Sequence, residues 1–234
     1  MLQIILLFVL RFTYLFVHLH EQINKIMIMK TWILTIVALL TSVVAAAQLR
    51  EGSFTVQPKV GLNISTLTDA DKTIADACFG MEAEYMVTDM FSLSAGVLVS
   101  NQGGKYDEDY PFPRYTADLD YANIPIMANV YVLPGLALKA GVQPGFRMKA
   151  KMKTDDGSYD IDEFYKPAGT LIPGEEPKVN KFDLAIPVGI SYEYENVVLD
   201  ARYNLGLLKV ENFGPAYYNR VFEVTLGYKF ELDF

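Results

Sequence analysis

The chain has 234 residues, of which 51% are hydrophobic and 21% charged, which excludes an intrinsically disordered or collagen-like protein. Its formal net charge of −8 argues against a nucleic-acid-binding surface. Both histidines, His18 and His20, lie within the first 47 residues, and Cys78 is the only cysteine. Beyond residue 47 the chain therefore has no imidazole for acid–base catalysis, and one thiol can form neither an intramolecular disulfide nor a Cys/His metal cluster.

Residues 29–47 have the layout of a cleavable export signal. They contain a basic Lys30, an apolar run over residues 32–44 and three alanines directly before Gln48. This layout predicts cleavage after Ala47. An uncleaved membrane anchor is the alternative, since residues 31–47 together are nearly long enough to cross a bilayer.

We interpret residues 1–28 as an upstream extension, with translation beginning at Met27 or Met29. Their apolar stretch, residues 4–17, is short for a spanning helix. Residues 48–234 then form one mature domain.

From residue 48 onward, apolar and polar side chains alternate with a period of two, which is typical of β-strands. Eight strands are predicted, at about residues 53–65, 77–87, 91–101, 120–132, 136–151, 182–194, 197–208 and 222–234. Pro125 predicts a local bulge in the fourth strand. Tight turns at 88–90, 133–135 and 195–196 alternate with long polar loops at 66–76, 102–118, 153–180 and 209–219.

This pattern predicts an all-β fold, an eight-stranded antiparallel up-and-down transmembrane β-barrel preceded by an N-terminal signal peptide. Short turns are then periplasmic and long loops extracellular. A soluble barrel or sandwich is the alternative, because half-buried strands also alternate. We favour the membrane barrel because an eight-stranded interior has little room for the many Tyr and Phe rings of the apolar faces.

Charged residues on the polar faces predict an ion-pair network that fills the lumen, since an eight-stranded barrel is just wide enough for side chains. The predicted members of this luminal polar network are Lys59, Glu82, Glu84, Lys139, Arg147, Asp183, Glu193, Asp200, Arg202, Glu223 and Lys229. Arg202 is the predicted central member, because a guanidinium group can bridge two carboxylates. The carboxylate pair of Glu82 and Glu84 could serve acid–base catalysis, but mixed charges favour structural ion pairs. We predict no catalytic, cofactor-binding or metal-binding residues, and no wide pore.

The predicted loops carry two further patterns. Acidic residues at 107–109 and 155–163 suggest a calcium site, but they lack the glycine and terminal glutamate of an EF-hand loop, which favours solvated acidic segments. Aromatic clusters at 110–115 and 213–218 are candidates for contact with a partner or glycan, or for packing over the barrel mouth.

The last predicted strand ends on alternating apolar residues with a terminal aromatic. This ending resembles the signal that outer-membrane barrel assembly machinery recognises, and its predicted members are Gly227, Phe230, Leu232 and Phe234. The same strand must pair with the first one, because an open edge in lipid leaves backbone polar groups unsatisfied.

Four segments resemble the PorT-like outer-membrane β-barrel family of Bacteroidota. They are Pro58–Asn63, Tyr121–Pro125, Ala201–Leu207 and Leu226–Phe230. The resemblance extends over nearly all of the mature part and implies a barrel fold in the outer membrane. It says little about function, because the family is broad and is named after a secretion-associated member.

Together these patterns predict a monomeric, non-catalytic outer-membrane barrel in contact with outer-membrane lipid, with no cofactor. We expect an envelope structural role, or a surface-interaction role through the extracellular loops. An accessory component of a protein secretion system and a narrow channel are the alternatives.

Export processing is the first testable prediction. Mature protein isolated from cells should begin at or very near Gln48, because the alanines before it provide the small side chains that signal cleavage requires. Mass spectrometry of the N-terminal peptide measures this. An Ala47→Leu variant should retain the leader, and peptides from residues 1–28 in the purified wild-type protein would contradict the predicted start site.

Overall fold

The computed structural model describes residues 51–68, 70–107, 114–163, 178–212 and 216–232. The predicted upstream extension and signal peptide, parts of both aromatic loop clusters, and Phe234 of the predicted assembly signal lie outside the described residues.

The described residues form antiparallel β-strands. In chain order these are β1 (Phe54–Leu67), β2 (Ile74–Thr88), β3 (Phe91–Tyr106), β4 (Tyr115–Asn123), β5 (Ile126–Leu133), β6 (Leu136–Thr154), β7 (Gly157–Asp160), β8 (Phe182–Tyr194), β9 (Val197–Gly206), β10 (Asn219–Tyr228) and β11 (Phe230–Leu232). Among the described residues, no helix is both long and apolar enough to cross a bilayer.

The strands close into an eight-stranded barrel. β4 and β5 both pair with β3 and β6 and form one barrel strand, while β10 and β11 both pair with β1 and form another. β7 is a short hairpin partner of β6. Closure occurs where β1 pairs with β2 on one side and with β10 and β11 on the other. The predicted fold class, an eight-stranded antiparallel barrel, is confirmed.

Three tight turns, at residues 89–90, 134–135 and 195–196, define what we call the turn end of the barrel. The opposite end is the loop end. Gly135 has a φ of 76°, and a Cβ there would lie 2.3 Å from the carbonyl oxygen of Glu193. Glycine is therefore required at this turn both by backbone conformation and by space.

The apolar side of each strand faces outward. In β1, Leu62 is 63% exposed whereas Lys59, on the inner face, is 1% exposed. The eleven residues from Phe54 to Ile64 span about 25 Å along the barrel axis, at about 3.3 Å per residue and a tilt of about 40°. This height matches the apolar band of a membrane barrel. The arrangement of side chains, apolar outside and polar inside, is the opposite of that in a soluble barrel.

The bulge predicted at Pro125 is wrong. β3 pairs with Asn123 through Leu98 and with Ile126 through Ala95, so the register is unchanged across the proline and no residue is inserted. The carbonyl oxygen of Pro125 still accepts a hydrogen bond from the Gly96 N–H at 3.0 Å. Pro125 itself contributes no N–H donor to the ladder.

A bulge lies instead in β6, at Met148. Asp120 of β4 lies opposite Lys149 but Tyr121 lies opposite Arg147, so Met148 is one extra residue. Beyond it the faces exchange: Met148 is 56% exposed and Ala150 is 2% exposed. Strict alternation along the predicted strand 136–151 places Ala150 on the same outward face as Leu136 and Leu138. The extra residue turns Ala150 inside instead, and the apolar residues on both sides of the bulge give no sign of this change in the sequence.

The loop end of the interior is apolar. Its buried cluster consists of Leu67, Ala117, Leu119, Tyr121, Ala150, Met152, Ile161, Val179 and Val210. The strands here extend further than predicted, since β3 continues to Tyr106 and β4 begins at Tyr115. Part of the predicted polar loops is therefore sheet that has an apolar inner face.

The outward apolar face yields a second prediction. Leu226 lies on the exposed side of β10, midway along the strand pair β10–β11. A Leu226→Arg variant should lose about 2–4 kcal/mol of unfolding free energy in lipid vesicles, because an arginine is costly at the bilayer midplane.

The matched control is Met90→Arg, at an exposed residue in the 89–90 turn. It should lose less than about 1 kcal/mol, because interfacial positions tolerate charge. Urea unfolding of both variants in the same vesicles measures the difference. Equal losses at the two positions would show that Leu226 does not face lipid.

Candidate functional site

Six charged side chains meet in the middle of the barrel interior. This central ion cluster consists of Lys59, Glu82, Lys139, Asp200, Arg202 and Glu223, all of them buried. They come from β1, β2, β6, β9 and β10, and their three positive and three negative charges balance. Inward alternation on each strand therefore brings together residues far apart in sequence.

Arg202 lies at the centre of these contacts. Its guanidinium group donates to Asp200 from Nε and Nη2, both at 3.0 Å, and from Nη2 to Glu82 at 3.1 Å. Its Nε also lies 3.5 Å from a carboxylate oxygen of Glu223. A planar guanidinium group can make these divergent contacts, whereas a lysine ammonium cannot match its fork geometry.

The two lysines complete the cluster across the lumen. Lys139 donates to Asp200 at 2.6 Å and to Glu82 at 3.0 Å. Lys59 donates to Glu82 at 2.9 Å and to Asp200 at 3.2 Å. The carboxylates of Glu82 and Asp200 are thus each shared by three cations, an arrangement typical of a structural ion-pair network.

Glycines opposite the charged residues make room for their side chains. Lys59 is paired across the sheet with Gly80 and Gly227, and Glu82 with Gly96. Gly189 lies opposite both Lys139 and Arg202, and a Cβ there would lie 2.9 Å from the Arg202 Cβ.

A second cluster lies nearer the turn end. Lys229 contacts Glu193 at 2.6 Å and Glu84 at 2.7 Å, and it donates to the Tyr131 hydroxyl at 3.1 Å. Tyr131 in turn donates to Glu84 at 2.7 Å. Asn129 donates to the same carboxylate at 3.2 Å, and the Ser92 hydroxyl also donates to it. This turn-end cluster thus combines ion pairs with neutral hydrogen bonds.

Arg147 and Asp183 lie apart from both clusters. Arg147 pairs with Asp162, beyond β7, at 2.7 Å, and Asp183 accepts a hydrogen bond from Asn219 at 2.8 Å. The eleven predicted members therefore divide into two clusters and two separate contacts, rather than one network.

Sequence reasoning did not include Ser92, Asn129, Tyr131 or Asn219 among the site residues. All four are buried neutral side chains that bond to charged ones. Ser92, Asn129 and Tyr131 occupy inward positions in the alternating pattern. The pattern therefore identifies them as luminal residues, but a selection restricted to charged side chains leaves them out.

Two members of the predicted assembly signal lie on the outer face of the closing strand, and one lies inside. Phe230 and Leu232 are exposed in β11. Gly227 faces inward, where a Cβ would lie 2.1 Å from the side-chain nitrogen of Gln57.

The acidic loop residues contact basic side chains. Asp162 pairs with Arg147, and Asp155 pairs with Arg114 at 3.3 Å. Within the described part of the chain, no group of three or more His, Cys, Asp or Glu side chains is arranged to hold a metal ion.

The loop end carries an open cavity of about 500 Å³, which we call the loop cavity. The charged residues that line it are Lys72, Lys105, Asp107, Arg114, Lys153 and Asp155. Tyr115 also lines it and stacks on Tyr106, with ring centroids 4.7 Å apart. Both rings pack against the apolar cluster of the loop end. For Tyr115 this agrees with the interpretation that the aromatic segment 110–115 packs over the barrel mouth.

Comparison with known proteins assigns the family. Residues 46–212 match the family described as outer membrane protein beta-barrel domain. The chain belongs to this family, and the protein is an outer-membrane β-barrel. No curated protein matches the sequence of the chain.

Several solved outer-membrane proteins are similar to this chain. Ail of Yersinia pestis, in complex with the heparin analogue sucrose octasulfate, is 16% identical, with 77% of this chain and 99% of that chain covered and a TM-score of 0.46. Neisserial surface protein A is 16% identical, with 77% and 100% covered and a TM-score of 0.44. OprG of Pseudomonas aeruginosa is 13% identical, with 77% and 97% covered and a TM-score of 0.42.

The central ion cluster yields a third prediction. An Arg202→Met variant should lose about 3–5 kcal/mol of unfolding free energy, because it removes one of the three cations shared by Glu82 and Asp200 and the guanidinium group beside the buried Glu223. Denaturant unfolding of the refolded barrel in lipid vesicles measures the loss.

Lys72→Met is the matched control, since it removes one cation from an exposed ion pair, 2.7 Å from Asp107. It should lose at most about 1 kcal/mol. An unchanged unfolding free energy in Arg202→Met would show that the central contacts do not stabilise the barrel.

Proposed function

We propose that this member of the outer membrane protein beta-barrel domain family is a non-catalytic envelope protein whose closed barrel presents its extracellular loops to a surface partner. The observation that carries the proposal is the filled interior. The turn-end cluster, the central ion cluster and the apolar cluster of the loop end occupy successive levels of the lumen. A barrel filled at each of these levels is suited to holding its loops in place rather than to conducting solutes.

The contacts of the buried carboxylates support a non-catalytic role. Glu82 and Asp200 are each shared by three cations, and Glu84 accepts from Lys229, Tyr131 and Asn129. An acid–base residue needs an approach for substrate, and these oxygens face partners of the barrel itself.

The loop cavity supports a surface-interaction role. Its volume of about 500 Å³ is within the range of small-molecule and short-segment sites. Both charge signs line it, and Arg114 and Asp155 form an exposed pair whose partners can separate at little cost. The stacked Tyr106 and Tyr115 give this surface a rigid base.

An accessory role in protein secretion is the second candidate, and it rests on the resemblance to the PorT-like family. A photo-crosslinking amino acid at Thr116, which lines the loop cavity, tests it in intact cells. Crosslinks to secretion components would favour this role over a surface ligand. Under either role, we infer export through the predicted signal peptide, insertion by the barrel assembly machinery and a monomeric state.

Conductance provides the fourth prediction and separates the proposal from the channel alternative. The purified protein should produce no porin-like current steps in a planar bilayer, because side chains occupy the lumen. Its folded state in the sample is checked by the heat-dependent gel shift of barrels, and a general porin in the same bilayer serves as the positive control. Reproducible current steps from the folded protein would overturn the proposal.

A further inference from the structure

A second cavity, of about 550 Å³, lies at the loop end beside β8 and β9. Three lysines, Lys178, Lys181 and Lys209, line it together with the apolar side chains of Phe182 and Leu208. We call it the rim cavity. It therefore combines a concentration of positive charge with an apolar margin.

Lys178 and Lys209 point outward because the segments that extend beyond the paired ends of β8 and β9 bury the residues next to them. The Asn180 N–H donates to the Val210 carbonyl oxygen at 2.7 Å, so the two segments continue side by side past the ends of the strands. Val179 and Val210 are buried in the apolar cluster of the loop end. Their neighbours Lys178 and Lys209 lie at the next positions along each segment and are exposed.

The lipid-facing residues of β8 indicate the height of the rim cavity relative to the membrane. The outward residues of this strand are aromatic at both ends, with Phe182 at the loop end and Tyr192 and Tyr194 at the turn end, and aliphatic from Leu184 to Ile190. The distance from Phe182 to Tyr194 along the barrel axis is about 30 Å. Phe182 also contacts the Phe146 ring, with centroids 5.5 Å apart. Aromatic residues at this position mark the membrane–water interface, so Lys181 lies at the level of lipid headgroups.

The lysines of the rim cavity differ from those of the loop cavity in their partners. Lys72 and Lys153 of the loop cavity pair with Asp107 and Asp118. Within the described ranges, no carboxylate lies within ion-pair distance of the ammonium groups of Lys178, Lys181 and Lys209, and no acidic residue lines the rim cavity. Three lysines that line one cavity, with no acidic residue in its lining, favour an anionic ligand.

We propose that the rim cavity binds the phosphate-bearing headgroup of a lipid in the outer leaflet. The three ammonium groups contact the phosphate oxygens, as lysine does at phosphate sites. The acyl chains of the lipid then lie below, against Phe182 and the neighbouring outward face of β8. This site depends on the barrel and its depth in the membrane, and not on the proposed surface partner.

The fifth prediction tests the rim cavity with the full barrel in a neutral detergent. Native mass spectrometry compares binding of diphosphorylated lipid A, dephosphorylated lipid A and inorganic pyrophosphate. The wild-type protein should bind the diphosphorylated lipid and should bind both other probes at least tenfold more weakly. A triple variant Lys178→Gln, Lys181→Gln, Lys209→Gln should bind it about a hundredfold more weakly, at roughly fivefold for each lysine near an anionic headgroup.

Two further variants separate specific binding from general attraction. Replacement of Lys72, Lys105 and Lys153 by Gln removes three exposed charges at the loop cavity and should leave lipid binding within about threefold of the wild type. Replacement of the three rim lysines by Arg should retain binding, because each charge remains. The heat-dependent gel shift verifies that every variant is folded.

The outcomes are distinguishable from those of the surface-partner proposal, which rests on conductance and loop crosslinking. Equal affinity in the wild type and the rim Gln variant would overturn the lipid site. Equal losses in the two Gln variants would replace it with non-specific electrostatics. Pyrophosphate binding as tight as that of the lipid would identify a free phosphate compound as the ligand instead.

Discussion

The structure depends on one constraint, which is that the apolar side of every barrel strand must face lipid. Because side chains alternate along a strand, this condition directs every second residue into a lumen barely wide enough to hold it. Charged groups placed there lose most of their water, and each remains acceptable only when opposite charges surround it. The central ion cluster meets that requirement with three cations and three carboxylates from five strands. It also links strands that share no backbone hydrogen bonds, so it resists flattening of the barrel.

The charged residues and the glycines opposite them form a single arrangement. Lys59 and Arg202 extend into the lumen beside Gly80 and Gly189, positions where any Cβ would meet the neighbouring strand. A large inward side chain such as that of Lys59 or Arg202 therefore requires a glycine opposite it on the neighbouring strand. The space left by each glycine and the charged side chain that fills it depend on each other, so a substitution of either residue disturbs both the packing and the ion pairs of the lumen.

Sequence periodicity was sufficient to predict the closed barrel, its eight strands and the side of each strand on which charges lie. It was insufficient where local structure departs from strict alternation. Strict alternation places Ala150 outside, and since Met148 and Ala150 are both apolar, only the pairing of β6 with β4 reveals the extra residue. Arg147 and Asp183 were grouped with the other luminal charges, since alternation gives the face of a residue but not its height in the barrel. The apolar cluster of the loop end was missed because Ile161 and Val179 are single apolar residues in polar surroundings.

The bulge at Met148 divides the barrel wall into two sections with opposite solvation. Toward the turn end, β6 carries its oily residues outside and its polar residues inside. Past Met148, the same strand carries Lys149 outside and Ala150 and Met152 inside, which is the order found in a water-soluble barrel. The bulge therefore marks the height at which the outer face of β6 passes from the hydrocarbon core of the bilayer into its polar region. A membrane thicker than that height would have to bury the lysines of β6, so the position of one inserted residue sets the bilayer thickness in which the protein resides without strain.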